Sequence, residues 1–142
     1  MIESLTKVEK EILMWLRESP AANLGLIAEP LTEVLKRLTL KGLVKGSRLT
    51  AEGQRVEAAI RKEREQLAEP VIQRILELAK EAGVRVHSAR VTFYDWIEVY
   101  VDQDGVLDNA LERSEEFEFV DADRSGYYYR HKGSGFIARI FA

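Results

Sequence analysis

The chain holds 142 residues, 46% apolar and 32% charged, with a formal net charge of -3; that balance suits one folded domain or two small ones and excludes a basic coat over the whole surface. It contains no cysteine, which excludes disulfides, a thiolate nucleophile and cysteine-ligated zinc or iron–sulfur centres. No apolar run approaches the roughly 20 residues that cross a bilayer, and the opening Met1-Ile-Glu-Ser-Leu-Thr-Lys7 is polar where a secretion signal is apolar, so a cytoplasmic protein with no membrane partner is expected.

Leu5, Val8, Ile12, Leu13 and Leu16 recur at three- and four-residue steps, which predicts an amphipathic helix over about residues 4 to 18, capped by Ser4 or Thr6. Ser19-Pro20 ends it and opens a short second helix within residues 21 to 29, because proline lacks an N–H and is pre-set for the first helical position. Glu29-Pro30 opens a third, whose Leu31, Val34, Leu35 and Leu38 share a face until Gly42 supplies a left-handed C-terminal cap. Leu43-Val44 and Arg48-Leu49 flank Lys45-Gly46-Ser47 as a short two-stranded ribbon around a tight turn. Thr50 caps a fourth helix that runs through Val56, Ala59 and Ile60 into a charged stretch at 61 to 66. Pro70 restarts or kinks it, and Val71, Ile72, Ile75, Leu76 and Ala79 give it an apolar stripe as far as Gly83. That stripe either joins two copies of the chain or, as the pattern favours, packs on its own sheet.

Beyond Gly83 the period falls to 2. Val91, Phe93, Ile97, Val99 and Val101 alternate with Tyr94, Trp96 and Tyr100, as one long strand or as a hairpin turning near Tyr94-Asp95. Asp104-Gly105 ends this segment, residues 106 to 114 are a short helix, and residues 117 to 120, 127 to 130 and 136 to 141 are three more strands. The expected fold class is therefore α+β, with a bent linker helix and a mostly antiparallel C-terminal sheet carrying a short helix. The expected domains are residues 1 to 66 and 67 to 142.

Charge divides with the elements. Residues 1 to 64 hold 12 Lys/Arg against 9 Asp/Glu, and residues 65 to 142 hold 9 against 15, so the first half is the one suited to nucleic acid. Within it, Leu38, Gly42, Leu43 and Val44, followed by Leu49, Thr50 and Gly53, form the pair of phrases Leu-x-x-x-Gly-Leu-Val and Leu-Thr-x-x-Gly. At this spacing residues 4 to 66 resemble the winged helix-turn-helix transcription regulators of the MarR/PadR type. The helix 24 to 29 lies closer to Leu38 than that family usually has it, and the ribbon at Lys45 to Arg48 is shorter than its long basic hairpin. The resemblance implies a regulator that contacts duplex DNA through the third helix and the ribbon, often as a homodimer on a palindromic site. Thr32, Glu33, Lys36, Arg37 and Lys41 are the positions expected to point away from that helix's apolar face. With Lys45 and Arg48, the expected DNA-binding set is Thr32, Lys36, Arg37, Lys41, Lys45 and Arg48, in which no acidic residue interrupts residues 36 to 48. The acidic second half and the short ribbon support another use: an accessory protein that binds RNA polymerase or another transcription protein.

Other chemistry has little local support. Asp121-Ala-Asp-Arg-Ser-Gly126 copies half of a calcium loop, but Lys132 stands where the bidentate Glu is required, so a polar hairpin turn is expected. Asp102, Asp104 and Asp108 could hold a hard cation but fit an ordinary turn and helix start. His87 and His131 have no second ligand at helical spacing, so no enzyme activity and no cofactor are expected. Tyr127-Tyr-Tyr-Arg-His-Lys132 interleaves rings and cations as single-strand binders do, although strand alternation favours core packing. Scarce Asn and Gln beside abundant Glu and Arg is a usage shared with thermophile proteins.

Overall fold

The computed structural model describes residues 2–18, 30–124 and 126–142; the helix expected at 21 to 29 lies outside them. The chain divides into two units, Met1–Glu63 and Arg64–Ala142.

In the first unit, helix α1 (Lys7–Glu18) begins with a reciprocal capping box. The Thr6 N–H donates to Glu9 Oε1 at 2.9 Å and the Glu9 N–H donates to Thr6 Oγ1 at 3.2 Å, so two of the helix's orphan donors are satisfied. Helix α2 (Leu31–Leu40) follows Pro30, and Gly42 ends it at a φ of 77°. The Leu43 N–H returns to Leu38 O and the Gly42 N–H to Thr39 O, each at 3.0 Å, the paired bonds of a Schellman cap. Strands β1 (Val44–Lys45) and β2 (Arg48–Leu49) pair antiparallel, Val44 against Leu49 and Lys45 against Arg48. Ile12, Leu13, Val34, Leu38, Leu43, Val44, Val56 and Ile60 are buried in this unit, each side chain contributing roughly 1.5–3 kcal/mol relative to exposure.

Helix α3 (Ala51–Ala82) passes from the first unit into the second and contains Pro70. Proline there removes one i→i−4 hydrogen bond, yet the helix continues on both sides. Its Gly83 end repeats the Schellman pattern, with Val84 N–H to Ala79 O at 2.9 Å and Gly83 N–H to Lys80 O at 3.2 Å.

The second unit is built on a mixed five-stranded sheet in the order β3-β4-β7-β6-β5, from β3 (Val86–Phe93), β4 (Trp96–Val101), β5 (Phe117–Ala122), β6 (Tyr127–His131) and β7 (Ile137–Phe141). Neighbours are antiparallel except β4 and β7, which run parallel. Helix α4 (Val106–Arg113) lies against β5 and β6. The sheet is thus mostly antiparallel, as expected, and β3 and β4 form the hairpin alternative with its turn at Tyr94-Asp95. Two details differ. β3 begins at Val86 instead of near Val91, and a register shift between Val91 and Phe93 sets Phe93 opposite Trp96, away from the row that alternation assigned to it.

The two sheet faces differ in character. Ile97, Val99, Val101, Ala138, Ile140, Tyr129 and Phe117 are buried, as are Val71, Ile75, Leu78 and Ala79 of α3 and Leu107 and Leu111 of α4. The apolar stripe of α3 is therefore covered at Val71, Ile75 and Ala79 within one chain, the alternative the pattern favours. Arg64 of α3 donates to the Tyr94 carbonyl at 2.9 Å and to Asp95 Oδ1 at 2.8 Å, with its guanidinium over the Tyr94 and Phe136 rings. Arg74 reaches Glu116 at 2.6 Å, so this stretch of helix is held both at the β3–β4 turn and just before β5. On the other face, Arg139 sits 4.9 to 5.1 Å from the ring centres of Trp96, Tyr128 and Phe141 and donates to Tyr128 Oη at 3.1 Å.

Candidate nucleic-acid interface

The two sequence phrases in the first unit meet in space at Thr50. Its N–H donates to Leu43 O at 3.0 Å and its hydroxyl to Gly42 O at 2.6 Å. Thr50 Oγ1 in turn accepts the Gly53 N–H at 3.0 Å, so one threonine caps α3 and ties it to the end of α2. Gly53 is required for a related reason: a Cβ there would overlap the Leu43 carbonyl. The phrase Leu-Thr-x-x-Gly is thus a close-approach device that fixes α2 and the β1–β2 ribbon against the start of α3.

This scaffold presents the expected contact residues unequally. Thr32 and Lys36 are exposed on α2, and Lys45 and Arg48 are exposed on the ribbon. No ion pair engages Lys36, Lys45 or Arg48 among the described residues. Lys45 and Arg48 are direct cross-strand partners, a like-charge arrangement that destabilises a ribbon by roughly 0.2–1 kcal/mol.

Arg37 and Lys41 lie elsewhere than the helical wheel suggested. Lys41 Nζ donates to Glu9 Oε2 at 2.8 Å and Arg37 Nε lies 3.8 Å from the same oxygen. Glu9 is only 1% exposed. Burial alone would raise its carboxyl, but hydrogen bonds from Lys41 and from Thr6, with the Lys41 charge, outweigh that and hold it below the usual carboxylate range. The apolar positions of α2 leave Arg37 and Lys41 at the border of its buried face, and the long side chains turn inward toward the buried charge. Glu9 is the residue the sequence reading passed over. Its signal was present in Thr6-x-x-Glu9, the capping-box spacing ahead of an apolar run. A second buried carboxylate, Glu57, is 2% exposed and lies 3.7 Å from Arg17 and 3.6 Å from Arg61.

The exposed stripe of α2 also carries an apolar group: Leu40, one turn beyond Lys36, is 81% exposed.

The remaining candidates resolve into structure. Asp123 accepts the Gly126 N–H at 3.1 Å and the Tyr128 hydroxyl, which makes the calcium-like stretch part of the β5–β6 turn. Tyr128 and Tyr129 are buried and Tyr127 is exposed, so the tyrosine run contributes to packing. Asp102 accepts the Arg85 N–H at 3.1 Å. Asp108 is 5% exposed, and burial, reinforced by the nearby Asp104 charge, pushes its carboxyl up to about 6. Burial and the Asp108 charge push Tyr129 up to about 12. His131 shares a hydrogen bond with Ser134 at 2.8 Å. Among the described residues no group of three or more His, Asp or Glu is placed to hold a metal ion, and no helix is long and apolar enough to cross a membrane. No protein-family model matches this chain, and no curated protein or solved structure gives a significant match.

Proposed function

We propose that the first unit is a winged helix that binds duplex DNA, and that the protein regulates transcription by occupying a promoter site, without catalysis. The observation that carries this reading is the Lys45–Arg48 pair. Two cations held side by side on a two-residue ribbon, with Lys36 exposed on the neighbouring helix, form a cluster that gains stability when an anion arrives. A phosphate backbone supplies such anions at regular spacing and releases counterions as it binds. Phosphate contacts from the ribbon set position, and Thr32 and Lys36 are the side chains available to base edges. The reading predicts duplex binding whose affinity falls steeply with salt. Lys45→Ala and Arg48→Ala should each weaken binding uniformly across sequences and reduce the salt slope by about 0.9. Absence of duplex binding at about 50 mM salt, or slopes unmoved by both substitutions, overturns it.

Leu40 favours a second reading. An 81% exposed leucine on the outer stripe of α2 suits an apolar contact with RNA polymerase or another transcription protein. On that reading Leu40→Ser abolishes association with the protein partner, and duplex binding is absent or insensitive to Lys45 and Arg48.

A further inference from the structure

We propose that α4 and the strands beside it form a binding site for a small organic cation, an alkylammonium or guanidinium group seated between the Asp108 carboxylate and the rings of Phe119, Tyr127 and Tyr129. The site lies wholly in the second unit and does not depend on the duplex-binding reading of the first. Asp108 is buried on α4 together with Leu107 and Leu111, and its Oδ1 has no hydrogen-bond partner. A carboxylate oxygen held away from water without a donor is costly, and an incoming N–H would satisfy it. Helix α4 lies against β5 and β6. There Tyr129 is paired directly with Phe119, their rings edge to face with centres 5.6 Å apart, and strand alternation puts Tyr127 on the same face as Tyr129. Burial, then the charges of Asp108 and Glu112, push the Tyr129 hydroxyl up to about 12, so both carboxylates stand near this ring cluster. Tyr129 is buried while Phe119 and Tyr127 are 51% and 40% exposed, which gives the cluster a closed floor and an open rim. Asp104, Asp108 and Glu112 recur at four-residue steps, and among the described residues no Lys, Arg or His forms an ion pair with any of them. Negative charge with no cation of its own, set beside π faces, suits a cation that carries alkyl surface: the rings attract its charge and cover its methylenes, and Asp108 accepts its N–H. A metal ion fits less well. It needs several oxygen ligands, and no group of three or more His, Asp or Glu is gathered among the described residues.

Butylammonium and butylguanidinium, titrated into the full chain and followed by backbone amide shifts, test the site, with butanol as the neutral comparison and potassium as a cation without alkyl surface. Both organic cations should bind in about the millimolar range and move the amides of α4, β5 and β6. Butanol and potassium should not. Asp108→Asn keeps the shape of the side chain and removes its charge; in protein shown to be folded by its thermal transition, it should weaken binding about 30-fold or more. Phe119→Leu and Tyr127→Leu keep apolar bulk but remove a ring, and each should weaken binding by about two- to fivefold. Tyr100→Leu, which removes an exposed ring on the opposite sheet face, should leave binding unchanged. Absence of shifts at about 10 mM of both organic cations overturns the proposal and leaves Asp108 Oδ1 to a buried water. Equal binding of butanol overturns it by showing a merely apolar cleft, and equal binding of potassium by showing a site for charge alone. Undiminished binding in folded Asp108→Asn overturns it as well.

Discussion

Glu9 and Asp108 are both buried carboxylates, and they respond to pH in opposite directions. Glu9 is held below its ordinary range by Lys41 and Thr6 against the pull of burial, so its contribution is present near neutral pH and is lost as pH falls through its folded value. Asp108 has the converse balance: burial dominates, Asp104 adds repulsion, and no hydrogen bond reaches its buried Oδ1. Its carboxyl rises from 3.8 to about 6, so the folded protein holds a proton that the unfolded chain releases between those values. Stability from this group is therefore present below about pH 4 and declines as pH rises through 6. A rise of that size corresponds to about 3 kcal/mol as an upper figure. Asp108→Asn should accordingly raise stability at pH 7.5 by about 1–3 kcal/mol and change it little at pH 4; denaturant melts at the two pH values check this, and an equal effect at both would show that charge is not the cause.

At the scale of elements, most boundaries follow from chemistry within a few residues. The Schellman caps at Gly42 and Gly83, the Thr50 cap and the alternation of β4 were all legible, because each is set by neighbours along the chain. Pro70 was legible as a helix disturbance but not in its outcome. The helix on either side is held by buried Ala68, Val71 and Ile75, which outweighs the loss of one backbone bond. Pro70 itself is exposed, so Pro70→Ala should restore that bond at little packing cost and stabilise the protein by about 1–3 kcal/mol. A lower melting temperature for this variant would mean that the proline geometry is needed by the second unit. β3 shows the opposite limit. Residues 86 to 90 carry little apolar alternation, and their extension to Val86 comes from pairing with β4 out to Val101, information that lies on the partner strand.

For the molecule as a whole, two units with separate buried residues share α3. Gly53 and Arg64 serve one unit each. Gly53→Ala forces a methyl into the Leu43 carbonyl and should destabilise by about 3 kcal/mol. Arg64→Ala removes bonds to Tyr94 and Asp95 and should destabilise by about 2–3 kcal/mol. The two positions are about 16 Å apart along the helix and share no partner, so the double variant should equal the sum within about 0.5 kcal/mol. Chemical denaturation of the four proteins tests this; a larger deviation would show that the units are coupled through α3. Hydrogen exchange should locate the Gly53→Ala loss in residues 30 to 63 and the Arg64→Ala loss in the sheet.

By itself the sequence determined the α+β class, the two-residue ribbon, the caps and the phrases that meet at Thr50, because local hydrogen bonding and side-chain period decide those within one or two turns of chain. Only the tertiary structure decided which cations of the expected interface face outward. Glu9 and Lys41 are separated by 32 positions, and a helical wheel cannot show that a buried carboxylate from another helix waits beside Arg37 and Lys41. The parallel pairing of β4 with β7 and the burial of Asp108 on the inner side of α4 were likewise settled by long-range packing. An ion pair or a strand neighbour depends on where distant segments arrive, which no local pattern encodes.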